Sequence, residues 1–238
     1  AASAKPPAKP ASGATLTIEP GVNVQFLSNT GVIQVGSGTD GGGLIARGTA
    51  EAPITFGLAP DAEEGARWAG ITFDEYAKVA EITHATFTTC GRTLRPSEFV
   101  PVAGCIALQG HPDGVAVLED LAFTDVTAGV SLNGGRTQLA RLAFGEGALV
   151  GLVAHAENLR DITEAFTYTG DTFNILDGRV RRSTQSSVSE SATWVAQPVP
   201  WHVVGRLAVT APNGWVDGDP FPTVTLEAGF NATFEFNA

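Results

Sequence analysis

The chain has 238 residues, 43% of them hydrophobic, and 14 basic against 25 acidic side chains give a net charge of −11. That length is enough to bury a sizeable core in one or two domains, while the lack of a long apolar run excludes a transmembrane helix. The basic side chains gather only at Arg179, Arg181 and Arg182, which argues against a nucleic-acid groove, because phosphate binding needs a clustered basic face.

Residues 1–14 hold Pro6, Pro7 and Pro10 and no large apolar side chain, so they read as a disordered Pro/Ala-rich tether. No methionine stands anywhere in the chain, position 1 included, and the expectation is a processed segment whose targeting signal has been removed. From Thr15 onward, short β-branched and aromatic runs alternate with Gly, Asn and Asp, the pattern of strands and turns. Short helical pieces are expected only near Pro60 to Ala66 and Asp74 to Ala80.

Two internal repeats set the architecture. Thr15-Leu-Thr-Ile-Glu-Pro-Gly-Val-Asn-Val-Gln-Phe26 returns as Thr223-Val-Thr-Leu-Glu-Ala-Gly-Phe-Asn-Ala-Thr-Phe234, with six of the twelve positions identical. Leu118-x-x-Leu121-x-Phe123 recurs as Leu139-x-x-Leu142-x-Phe144, with a looser copy at Ile82-x-x-Ala85-x-Phe87. Each copy is followed by a second apolar pair: Ile106 and Leu108, Val130 and Leu132, Val150 and Leu152. Two strands per repeat, stacked so that Ile, Val, Leu and Phe fill one shared interior, is the simplest account: a solenoid of coiled parallel sheet.

The interval from Phe87 to Phe123 is longer than the repeat step, so residues 91–103 read as an insertion looping out. Cys90 and Cys105 flank it. A disulfide there would contribute ~3 kcal/mol, chiefly by restricting the unfolded chain, and would imply an oxidising compartment. Two buried free thiols are the alternative.

Thr15-Leu-Thr-Ile-Glu-Pro-Gly-Val, Gly43-Leu-Ile-Ala-x-Gly48-Thr-x-x-x-Pro53-Ile-Thr-Phe56 and Trp68-x-Gly70-Ile-x-Phe73 together resemble the right-handed parallel β-helix modules of secreted and surface proteins from environmental bacteria. The resemblance implies an all-β, single-stranded right-handed parallel β-helix over residues 15–182. Residues 183–238 then form a linker and either the start of a second module or capping turns. It also implies export, to the medium, the periplasm or the cell surface, and says little about activity. A leucine-rich repeat is a rival because Leu-x-x-Leu-x-Phe imitates its opening motif, and an immunoglobulin-like β-sandwich because short strands with regular turns also describe it.

Chemistry is harder to place. A polysaccharide lyase or glycoside hydrolase working in a groove along the coil would need carboxylates and basic groups converging on one face. Asp120, Asp125, Glu146, Asp161, Glu164 and Asp171, with Arg141, Arg160 and Arg179, are the candidates; single charges on turns are more often solvated surface. His84, His111, His155 and His202 lack metal-ligand spacing. Asp217-Gly-Asp219 after Asn213-Gly could hold calcium in a turn, and no other cofactor is implied. Trp194, Trp201 and Trp215 could stack on sugar faces, and Arg179, Arg181 and Arg182 could meet an acidic glycan; packing and solvation are the bland readings. The function this supports is a non-catalytic module with a structural, adhesive or glycan-binding role in a larger surface protein. The alternatives are the polysaccharide-cleaving enzyme and a subunit that assembles end to end.

Overall fold

The computed structural model describes residues 13–36, 41–91, 104–110, 115–178, 185–209 and 221–234. Apart from Gly13 and Ala14, the expected tether lies outside the described residues, as do residues 92–103 of the insertion.

The described chain is all-β, and its ladders are parallel. β1 (Thr15–Ile18), β2 (Asn23–Phe26) and β3 (Val32–Val35) are followed by β4 (Gly42–Arg47), β5 (Ile54–Leu58) and β6 (Gly70–Phe73), each pairing with the strand three places earlier. β7 (Ala77–Thr88) fills two places at once, its first half against β4 and its second against β5, and β8 (Ile106–Gln109) lies against β6. β9 (Val115–Thr124) and β10 (Ala128–Asn133) repeat this arrangement on β7 and β8. β11 (Arg136–Ala140) and β12 (Ala143–Phe144) then cover the two halves of β9, and β13 (Val150–Ala154) covers β10. After β13 a 3₁₀ helix, Ala156–Asp161, replaces the expected strand, before β14 (Thr167–Tyr168) on β12 and β15 (Phe173–Gly178) on β13.

β16 (Gln185–Val188), β17 (Ala192–Trp194) and β18 (Trp201–Val209) follow, and β18 pairs with β15 through its first part and with β16 through its last. β19 (Val224–Leu226) lies on β17 and β20 (Ala232–Phe234) on β18. Among the described residues these strands make two nine-stranded sheets and one pair, β17 with β19.

The Leu-x-x-Leu-x-Phe motif explains the bent strands. Alternate residues share a face of a strand, so Leu118 and Leu121 would point to opposite sides of a straight one. Both are buried, at 0% and 1% exposure. Asp120 between them adopts φ 54, and His84 (φ 47) and Arg141 (φ 54) do the same in the neighbouring copies. This left-handed residue costs ~1–2 kcal/mol for an L-amino acid, and Asp and His are among the side chains that tolerate it best. It turns the chain so that both apolar residues face inward, and the motif therefore spans two strand positions. Three strands per repeat replace the expected two.

Inside, equivalent residues stack. Phe56, Phe87, Phe123, Phe144 and Tyr168 form one aromatic column with ring centroids 4.9, 5.2, 5.2 and 5.0 Å apart. Each such pair adds ~0.5–1.5 kcal/mol beyond the apolar area it buries. A second column in the other sheet runs Val35, Phe73, Leu108, Leu132, Ala154, Leu176, Val203, Phe234 by register. Gly129 lets this sheet approach the aromatic column, since a Cβ there would stand 2.8 Å from the Gly151 carbonyl oxygen and collide with the Phe144 ring.

Cys90 and Cys105 are joined by a disulfide, with Cα atoms 5.2 Å apart and both residues fully buried. This settles the choice left open between a bond and free thiols.

Several expectations are corrected. Pro60 to Ala66 is a set of turns, and Ala77 to Ala80 opens β7, whereas the 3₁₀ helix at Ala156–Asp161 was not foreseen. Ile106 and Leu108 pair with Val130 and Leu132 as the spacing predicts, but Leu152 pairs with Val130 and Val150 with Ala128. Parallel ladders do not fit an immunoglobulin-like sandwich, which is antiparallel, and three successive strands per repeat do not fit a leucine-rich repeat. The two copies of the twelve-residue repeat also lie in different settings: β1 and β2 share one sheet, whereas β19 belongs to the two-stranded pair and β20 to the other large sheet.

Candidate functional site

Charge gathers in two places, and each follows from an irregularity in the strands. The first is the left-handed corner. The residues that make the turn cannot point inward, so their side chains stack outside in one file. Arg141 donates from Nε to Asp120 Oδ1 (2.6 Å) and from Nη2 to Asp120 Oδ2 (2.8 Å) and Glu119 Oε2 (3.1 Å). His84 Nε2 stands 3.5 Å from Asp120 Oδ2. The Arg141 backbone N–H donates to Glu164 Oε1, and Gln138 donates to Glu119 Oε1 at 2.5 Å. Nearby, Arg47 grips Glu81 in two hydrogen bonds of 2.5 and 2.7 Å.

Hydrogen bonds from Arg141 hold the Asp120 carboxyl below its ordinary value, and Arg47 does the same for Glu81. The same contacts raise both guanidinium groups. Within the file the Arg141–Asp120 and Arg47–Glu81 pairs are matched charges, each contact favouring the ionised carboxylate and the protonated guanidinium.

The second place is a cleft where the 3₁₀ helix interrupts the ladder. Among the described residues no strand lies beyond β11, so its backbone groups and those just before it need other partners. Asn158, fully buried, accepts from the Gly134 N–H (3.0 Å) and donates to the Gly135 carbonyl (3.2 Å), while Asp161 Oδ2 accepts from the Thr137 N–H (3.1 Å). Side chains thus replace an absent strand. Asp161 is held at 6% side-chain exposure, and burial pushes its carboxyl up against the pull of the Thr137 N–H, Arg160 and Arg136.

Above it opens a cleft of 440 Å³ lined by Arg136, Arg160, Ile162, Thr163, Glu190, Ser191, Ala192, Thr193 and Val195. Arg136 Nη1 and Arg160 Nη1 both reach Glu190 Oε2, at 3.3 and 3.0 Å. Arg160 Nε is buried without a hydrogen-bond partner and lies 3.7 Å from Asp161 Oδ1. Two cations therefore converge on one carboxylate that is itself 61% exposed. Chemically this is a seat for a carboxylate, with Glu190 sitting in it.

A third set of buried polar groups finishes the interrupted region. Asn174 Oδ1 accepts from the Leu152 N–H (2.9 Å), and its amide donates to the Tyr168 hydroxyl (3.0 Å). Gln197 accepts from the Phe166 N–H and donates to the Glu164 carbonyl, both at 3.1 Å. Burial pushes the Tyr168 phenol up, so it stays protonated.

Of the residues singled out from sequence, the structure brings Asp120, Arg141 and His84 together, and Arg160 with Asp161. Trp194 and Trp201 are buried at 3% and 1% exposure, so they pack and present no ring to a sugar. That corrects the stacking expectation for this pair. Their alternation with Pro and Val already resembled a buried strand. Trp215, Arg179, Arg181, Arg182, Asp217, Asp219 and His111 lie outside the described residues.

The remaining histidines do not converge: His155 is buried, which lowers its basicity, and His202 stacks on Phe173 at 4.5 Å. Among the described residues no group of three or more His, Cys, Asp or Glu could hold a metal, and no helix is long and apolar enough to cross a membrane. Sequence reasoning missed Arg136, Asn158 and Glu190. The signal was faint: an Asn-Leu-Arg-Asp run breaking the apolar alternation after Ala154. Comparison of the chain with family models, curated proteins and solved structures finds no match.

Proposed function

We propose that the chain is a right-handed parallel β-helix module of an exported or surface protein, non-catalytic, with a structural and adhesive role, and that it contacts carboxylated glycans at the Arg136–Arg160 cleft. The coil is supported by strands that pair in parallel with those three places earlier through the first repeats. Export is favoured by the disulfide, which needs an oxidising compartment.

The observation that carries the binding role is the pair of guanidinium groups on one exposed carboxylate, because Arg recognises carboxylates by geometry as well as charge. An acidic sugar would replace Glu190 in that seat. The ion-paired corner at Asp120 and Arg141 favours a structural part over acid–base catalysis there.

Titration with oligogalacturonate and with a neutral galacto-oligosaccharide of equal length tests this. Binding should be confined to the acidic sugar, strengthen in Glu190→Gln and fall about tenfold or more in Arg160→Gln, the loss of one charge-assisted contact. Equal affinity for both sugars, or no response to either substitution, removes the reading. Release of new reducing ends or unsaturated products during the titration would replace it with the polysaccharide-cleaving alternative.

A further inference from the structure

Two carboxylates face the arginines of the cleft, and the fold treats them differently. Nε of Arg136 and Nε of Arg160 each stand 3.7 Å from Asp161 Oδ1, while Nη1 of each reaches Glu190 Oε2. Both guanidinium groups are thus held between the same two acids. Glu190 is 61% exposed and can turn out into solvent, since an exposed ion pair gains little over hydration. Asp161 cannot leave. Its side chain is 6% exposed, and its Oδ2 is bound to the Thr137 N–H.

When Glu190 departs, two guanidinium charges and one fixed carboxylate remain, a surplus of a single positive charge among the described residues of the cleft. A monoanion cancels that surplus. A dianion brings a second negative charge that no cation is left to meet, beside a carboxylate that stays in place. Desolvation weighs the same way, because its cost grows with the square of the ligand's charge and the attraction only in proportion to it. Uronate carboxylates and sulfate esters carry one charge, whereas a phosphate monoester carries two once its second proton is lost. Without Asp161, the same pair of arginines would suit a phosphate.

We infer that Asp161 is the specificity-determining residue of this cleft, a step that rests on the glycan reading: by permanently offsetting one of the two arginine charges, it makes the seat select singly charged groups and reject phosphate monoesters. It acts through the guanidinium groups it holds, as a positioning residue, and does not touch the ligand.

The test compares a galacto-oligosaccharide capped with one galacturonate and the same sugar capped with one phosphate monoester, titrated at about pH 8, where the phosphate is doubly charged. The uncapped sugar is the blank. The wild type should prefer the uronate cap. Asp161→Asn, which keeps an oxygen for the Thr137 N–H, should shift the ratio of affinities about tenfold toward the phosphate cap, since each of its two charges gains from the change. Asp161→Asn combined with Arg136→Gln removes one charge of each sign and should restore the uronate preference, a recovery that simple damage to the fold would not give. Arg136→Gln alone, at a side chain 54% exposed, takes the surplus to zero and should widen that preference. Far-UV circular dichroism and melting temperature confirm that each variant folds. If the wild type binds the uronate cap but the ratio does not move in Asp161→Asn, or the double variant does not restore it, the inference is overturned and the glycan reading stands. A wild type that favours the phosphate cap overturns it as well. If neither charged sugar binds the wild type better than the blank, the glycan reading falls and takes the inference with it.

Discussion

The stretch from Thr15 to Ala154 and the stretch from His155 to Gly205 solve the same problem by different means. In the first, every strand after β3 has a predecessor to pair with, backbone hydrogen bonds close the ladder, and side chains are left to pack: Phe87, Phe123 and Phe144 simply stack. In the second, a 3₁₀ helix displaces one strand, and Asn158, Asp161, Asn174 and Gln197 must supply the missing hydrogen bonds from inside the fold. Regular pairing leaves a core of stacked apolar side chains and places charge on an outer corner. Broken pairing brings polar groups inward and opens a cleft beside them.

Substitutions can break that contrast. The largest effect is expected in the regular region: Phe123→Ala removes the middle ring of the aromatic column, fully buried between two others, and should cost ~3–5 kcal/mol in urea unfolding. Phe123→Leu, which keeps the apolar bulk, should recover most of it.

In the interrupted region the corresponding change is polar. Asn158→Ala leaves the Gly134 N–H and the Gly135 carbonyl without their partner and should cost ~1–3 kcal/mol, although it deletes far less apolar surface. Asn158→Leu should be no better, since the loss is of hydrogen bonds. If Leu restores stability, the account of side chains replacing a strand is wrong.

The smallest effect separates the regions by sign. The Asp120 carboxyl titrates lower in the fold than its ordinary 3.8, so its contribution is in place above that value and is lost as pH falls through the folded one. Asp161 is raised above 3.8 by burial, so its contribution is in place below 3.8 and is lost as pH rises through its folded value. Comparing Asp120→Asn and Asp161→Asn with the wild type by melting temperature across the acid range should give pH slopes that change in opposite directions. For the largely solvated Asp120 pair the amplitude should stay within about 1 kcal/mol.

Much of the regular region was legible because its chemistry repeats. Leu-x-x-Leu-x-Phe located the inner columns, the Phe123–Phe144 step gave their stacking, and the two cysteines flanking the excess length between Phe87 and Phe123 gave the disulfide. The bend was harder to see, since no composition rule says that His84, Asp120 and Arg141 share a left-handed conformation. Counting two strands instead of three followed from missing it. The interrupted region was opaque for a different reason. Asn158 and Asp161 act on backbone groups of residues some twenty positions earlier, a relation visible only once β11 lacks a following strand. Trp194 and Trp201 misled because an aromatic side chain serves a core and a sugar equally well in sequence.

The Cys90–Cys105 bond joins the end of β7 to the residue before β8. It acts as a covalent bypass: the path between those strands runs through sulfur as well as through the intervening peptide. A protease that cuts within residues 92–103 would leave both fragments tethered, and the nick would become visible only under reducing conditions. The same bypass frees that segment to vary in length and composition, since the spacing of the flanking strands is held by the sulfur bridge.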